Sequence, residues 1–204
     1  MDSQEARRRE LALPSHVVCL AASAGGLAAL SRVLSELPAG FGASIVVLQH
    51  LDPRHRSWLP EILRPRVALA VEQVQGGERL APGTIYVAPP DRHVLVGPGA
   101  VLALDDGVRI NFSRPSADVL FASLAESVGR RAVAVVLSGR GHDGAQGIID
   151  VKQHGGTVIV QDEATSEFFG MPCAAQETGV ADRVLPLEAI AEALIELTAS
   201  EAVT

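Results

Sequence analysis

Lysine is almost absent from this chain: Lys152 is the only one, and the other sixteen basic residues are arginines. Aromatic residues are scarce at 3%, so Val, Leu, Ile and Ala must build any core. Cysteine is nearly missing too. Cys19 and Cys173 lie in separate apolar contexts with no second cysteine nearby, which argues against a disulfide framework and a CxxC site. Cys19 reads as a small packed hydrophobe inside a core strand. No stretch reaches the roughly 18 uninterrupted apolar residues that a membrane span needs. The N-terminus, MDSQEARRRELALP, lacks the apolar centre of a signal peptide. An excess of positive charge is lacking as well: the formal net charge is -7, which argues against a nucleic-acid partner. The run Arg7, Arg8, Arg9 reads as a solvated segment. Together these absences point to a soluble, reducing, cytoplasmic setting without membrane insertion.

What is present is enough for one well-filled domain. The chain has 204 residues, 48% of them hydrophobic, ample for one core and short for two. Residues 1–14 read as a loose tail and 15–204 as the folded domain. Apolar runs alternate with helical stretches: HVVCLAA (16–22) as a strand, GLAALSRVLSEL (26–37) as a helix, SIVVLQ (44–49) as a strand, and a short helix near 57–64. Such runs, continuous in Val, Ile and Leu, suit a parallel sheet covered on both faces. Residues 83–113 are broken by Pro-Pro, Gly-Pro-Gly and Asp-Asp-Gly, the turn chemistry of an antiparallel meander. The α/β pattern then resumes. Ser116 is placed to cap the helix ADVLFASLAESVG, RAVAVVLSG (131–139) is the clearest central strand, and residues 143–156 read as a helix with a glycine stop. TVIVQ (157–161) is a further strand, and 188–199 the closing helix. The expected fold is a three-layer α/β/α domain, mostly parallel, with an antiparallel meander or hairpin in mid-chain.

In an open parallel sheet, sites form beyond the carboxyl ends of the strands. Ser23 follows the first apolar run, His50 the second, and Asp143 the run AVAVVLSG. A serine, a histidine and an aspartate on one rim are the inventory for acyl transfer by a serine nucleophile. Each also has a bland reading: a turn serine, a partly buried histidine, a helix-capping aspartate. AASAG resembles the nucleophile elbow GxSxG, in which a strained strand-to-helix turn lifts a serine clear of the sheet. The order Ser, His, Asp differs from that of the α/β-hydrolases. Nucleotide readings fit poorly. A dinucleotide fingerprint wants GxGxxG and an acidic residue closing the second strand, where this chain has AxSxGG and Gln49-His50. A P-loop wants a lysine that Lys152 does not supply. His50, His55, His93 and His142 match no common zinc spacing, so neither metal nor cofactor is expected.

Several long motifs resemble the catalytic domain of the chemotaxis protein-glutamate methylesterases (CheB-type). They are ASAGGLAAL, VVLQHLDP, GTIYVAPPDRHVLV, RPSADVLFASLAESVG, VVLSGRGHDGAQG and VIVQDEATSEFFGMPCAA, in the family's order and reaching from about residue 15 to 198. The resemblance implies Ser23 as nucleophile, His50 as base and Asp143 as the residue that orients it. It implies hydrolysis of glutamyl methyl esters on chemoreceptor helices, with methanol released, and in many members deamidation of glutamines. The methylated receptor, or a receptor-like helical protein, would be the partner. The alternative is a non-catalytic module that keeps the fold and binds receptor helices. Backbone N–H groups at Arg140 and in the Ser23–Ala24 turn are the candidates for holding an oxyanion. Ala24 stands where the family usually has Thr, and Arg140 where it usually has Met; His142 adds a titratable group beside Asp143. Typical members also carry an N-terminal phosphorylation-receiver domain, which about 14 residues are too few to form. The expectation is a naturally single-domain member rather than an excised catalytic domain, regulated by a separate partner or through its expression.

Overall fold

The computed structural model describes residues 14–51, 54 and 56–199. The expected tail therefore lies outside the described residues except for Pro14, as do Arg7 to Arg9 and His55. Val-rich runs with no alternation form strands because helices cover both of their faces. β1 (Val17–Ala22) and β2 (Ser44–Gln49) are followed by β3 (Ala70–Gln73) and β4 (Thr84–Val87), and later by β7 (Ala132–Val136), β8 (Thr157–Gln161) and β9 (Arg183–Leu185). These seven make one sheet in the order β3-β4-β2-β1-β7-β8-β9, with every neighbouring pair parallel. β5 (His93–Gly97) and β6 (Val101–Asp105) form a separate antiparallel hairpin.

Alternate residues of β1 feed two cores. Val17, Cys19 and Ala21 join the core beneath α3 (Ala117–Val128), α4 (Gly147–Gln153), α5 (Gly170–Glu177) and the hairpin. Val18, Leu20 and Ala22 join the core beneath α1 (Gly26–Ser35), α2 (Leu59–Leu63) and α6 (Leu187–Ala199). The three-layer α/β/α reading holds. Cys19 is fully buried, and burial pushes its thiol far above the ordinary range, as expected of an inert packed residue.

The mid-chain reading needs correction. Thr84–Val87 does not belong to a meander. All four residues are buried, and the strand sits in the main sheet between β2 and β3; only residues 93–105 turn back as a hairpin. The expected helix over 143–156 is shorter, Gly147–Gln153, because the N–H groups at 144, 146 and 147 turn onto Asp118. β3, α5 and β9 are elements that the sequence pattern did not reveal. No helix among the described residues is long and apolar enough to cross a membrane.

Candidate active site

β2, β1 and β7 are adjacent, with Ala22 opposite Gln49 and Ala21 opposite Val136. The residues that follow them therefore emerge side by side. Ser23 N–H donates to the Ser138 carbonyl (3.0 Å), and His50 N–H to the Ala22 carbonyl (3.0 Å). The Ser23 carbonyl in turn accepts from Gly26 N–H (2.9 Å) and Gln49 Nε2 (2.6 Å). This pins the turn on three sides. Gly25 adopts φ +74°, and a Cβ there would stand 2.7 Å from Ser138 Oγ and 2.9 Å from Glu167. Only glycine satisfies both demands.

His50 and Asp143 meet across the rim at 2.7 Å, Nε2 to Oδ2. An ionised carboxylate only accepts, so the neutral imidazole carries its hydrogen on Nε2 and leaves Nδ1 with a lone pair. Among the described residues, neither Nδ1 nor Ser23 Oγ has a hydrogen-bond partner. Both residues line one cleft of about 220 Å³, together with Arg109, Phe112, Arg114 and Arg140.

Asp143 is buried, and its carboxylate is filled from behind. Ser116 Oγ donates to Oδ1 (2.7 Å), Ala117 N–H to Oδ2 (2.7 Å) and Asp118 N–H to Oδ1 (3.2 Å). Burial alone would raise this carboxyl; the bonds from His50, Ala117 and Ser116 outweigh it and hold the group below its ordinary value. The reverse contact also exists. Asp118 Oδ1 accepts the N–H groups of Gly144 (2.9 Å), Gln146 (3.0 Å) and Gly147 (2.9 Å). Asp143 thus caps the start of α3, and Asp118 holds the entry to α4. Asp118 is raised above its ordinary value by burial and by the charge of Asp143, against the pull of those three N–H groups.

The sequence-derived residues divide as follows. Ser23, His50 and Arg140 line the cleft, with Asp143 behind the imidazole. Ser116 occupies the N-cap position of α3, but its hydroxyl makes no cap bond and goes to Asp143 instead. Within the Ser23–Ala24 turn the Ser23 N–H already donates to Ser138, so it is no oxyanion donor. Among the described residues, the N–H groups of Ala24 and Arg140 have no partner. His142 lines a different groove beside Asp118. His93 is buried, with Nδ1 accepting from Ser116 N–H (3.2 Å) and Nε2 on the Val108 carbonyl (3.0 Å). Gln49, Ser116, Asp118 and Ser138 support the site and were not singled out for that from sequence. The block RPSADVLF held two of them, Ser116 and Asp118, and a small hydroxyl and a carboxylate opening a helix were the available signal.

Residues 18–194 match the family described as CheB methylesterase. This chain belongs to that family. It is 42% identical over 184 residues to protein-glutamate methylesterase/protein-glutamine glutaminase 4 of Anaeromyxobacter dehalogenans, covering 89% of this chain and 51% of that one. It is 40% identical over 193 residues to protein-glutamate methylesterase FrzG of Myxococcus xanthus, covering 95% and 58%. The crystal structure of the Thermotoga maritima CheB methylesterase catalytic domain matches with a TM-score of 0.87 at 39% identity, covering 91% of this chain and 100% of that one. The CheB-type chain described here spans about half the length of these two curated relatives.

Proposed function

We propose that residues 15–204 are a cytoplasmic methylesterase domain that hydrolyses glutamyl methyl esters on chemoreceptor-type helical proteins and deamidates glutamines there. His50 Nδ1 takes the Ser23 proton as Oγ attacks the ester carbonyl. The oxyanion is met by the Ala24 and Arg140 N–H groups. The tetrahedral adduct collapses, the imidazolium returns its proton to the methoxy oxygen, and methanol leaves; from an amide, ammonia leaves instead. Nδ1 then deprotonates a water, which attacks the acyl-enzyme and regenerates Ser23 with a free glutamate. Asp143 keeps the hydrogen on Nε2 and stabilises the imidazolium. Every proton transfer is served by a side chain or water, so the scheme needs no metal or cofactor.

One observation carries this reading: the 2.7 Å His50–Asp143 bond, which leaves Nδ1 as the base in the cleft that Ser23 shares. The test is methanol release from a methylated chemoreceptor fragment. Wild type should release it, and Ser23→Ala should fall by orders of magnitude. Equal rates for the two would overturn the proposal.

A further inference from the structure

A two-residue turn stands at the lip of the cleft. Ile110 N–H donates to the Ser113 carbonyl (3.1 Å), and Ser113 N–H to the Ile110 carbonyl (2.8 Å). The two central residues, Asn111 (φ 48°) and Phe112 (φ 65°), both lie in the left-handed region. Asparagine tolerates that conformation; an aromatic residue seldom adopts it. Phe112 is 99% exposed, so no packing among the described residues offsets the strain. Val108, just before the turn, is 81% exposed.

The segment is nevertheless well anchored. The Arg114 guanidinium donates to Asp91 (2.8 Å) and to the carbonyls of Asp106 and Gly107 (2.8 Å each). His93 holds the Val108 carbonyl from inside. A rigid frame thus presents a strained, bare aromatic ring beside Ser23 and His50. The surrounding charge is positive, although the chain as a whole carries -7. Arg109 and Arg114 share Asp91. Arg140 has no carboxylate partner among the described residues, and its guanidinium lies 4.6 Å above the Phe168 ring.

We propose that the Ile110–Ser113 turn is a substrate-docking element: Phe112 seats among apolar side chains of an acidic helical segment while the cleft arginines meet its carboxylates. This rests on the methylesterase reading and adds how the protein substrate is held. Backbone strain at an exposed aromatic beside a cleft is the kind of local cost retained where it serves binding. The combination of aromatic and arginine is the usual chemistry of an energetic hot spot. The positive cleft favours an acidic occupant over a symmetric pairing with a second copy, which would set one arginine-lined cleft against another.

The test compares two probes, a methylated helical chemoreceptor fragment and p-nitrophenyl acetate. Phe112→Gly keeps the turn, because glycine accepts its φ freely; Phe112→Ala is the second variant. In both, the ratio of kcat/KM for the fragment to kcat/KM for the small ester should fall about tenfold, with KM for the fragment carrying the change. For wild type, added salt should raise that KM. If wild type turns over both probes and the variants keep their ratio, the assignment of the turn is overturned while the esterase reading stands. If wild type turns over neither, the esterase reading fails and the docking element with it. A concentration-dependent wild-type dimer in sedimentation that Phe112→Gly abolishes would overturn the proposal by assigning the ring to self-association.

Discussion

His50 Nε2 donates to Asp143 Oδ2 at 2.7 Å, joining residues 93 positions apart in the chain. The bond fixes which ring nitrogen is basic, and that nitrogen is Nδ1. Asp143→Asn replaces a pure acceptor with a group that also donates, so the imidazole loses its enforced tautomer. We expect kcat to fall by roughly 10³–10⁴ with KM little changed. Steady-state kinetics on a methylated receptor fragment checks this.

The same carboxylate links stability to pH. Its folded pKa lies below the ordinary 3.8, so its stabilising contribution is fully present above that value. It is lost as pH falls from about 4 through the lower folded value. Thermal unfolding of wild type and Asp143→Asn across this range should show a Tm difference that is largest above about pH 5 and shrinks toward about pH 3.

Asp118 gathers three N–H groups on one oxygen. Asp118→Ala leaves them without that acceptor and should destabilise by about 2 kcal/mol. It should also lower kcat, since the loop that carries Asp143 loses its tether. Asp118→Asn keeps an oxygen in place and should recover most of both. Urea titration alongside kinetics per active enzyme, counted by a serine-reactive phosphonate, separates the two effects. If Asn is as impaired as Ala, the tether is not what matters.

Gly25→Ala forces a side chain into a left-handed residue against Ser138 and Glu167. A loss of about 2 kcal/mol in urea unfolding is expected. Phosphonate labelling of Ser23 should slow with it, because the turn that presents the serine must shift.

Arg140 lines the cleft without a carboxylate partner among the described residues. Arg140→Met should lower kcat/KM for methyl-ester peptides with acidic neighbours by about tenfold relative to neutral ones. Unchanged selectivity would remove Arg140 from substrate choice.

The central sheet was legible because β1, β2, β7 and β8 are continuous apolar runs, a pattern that two-sided burial imposes. Ser23, His50 and Asp143 were legible because each follows such a run. β4 has the same character in TIYV, but the prolines and glycines after it outweighed four buried residues. β9 has three residues, two of them exposed, and carries almost no hydrophobic signal. The partners of Asp143 were hidden for a different reason. Ser116 lies 27 residues away, at the cap of α3, and a hydrogen bond between separate segments leaves no periodic trace. Its local role as a cap was readable, while the actual destination of its hydroxyl depends on how α3 and α4 pack.

The mutual hold of Asp118 and Asp143 has a consequence for the order in which the protein matures. The acid group beside His50 is also a fastener between two helix starts, so it reaches its working position only when α3, β7 and α4 have closed on one another. Its bond to His50 also joins residues 93 positions apart, and such a non-local contact forms slowly because its loop-closure entropy must be met first. Hydrolytic activity should therefore appear in refolding experiments with the last structural phase, and a partly assembled chain should be catalytically silent.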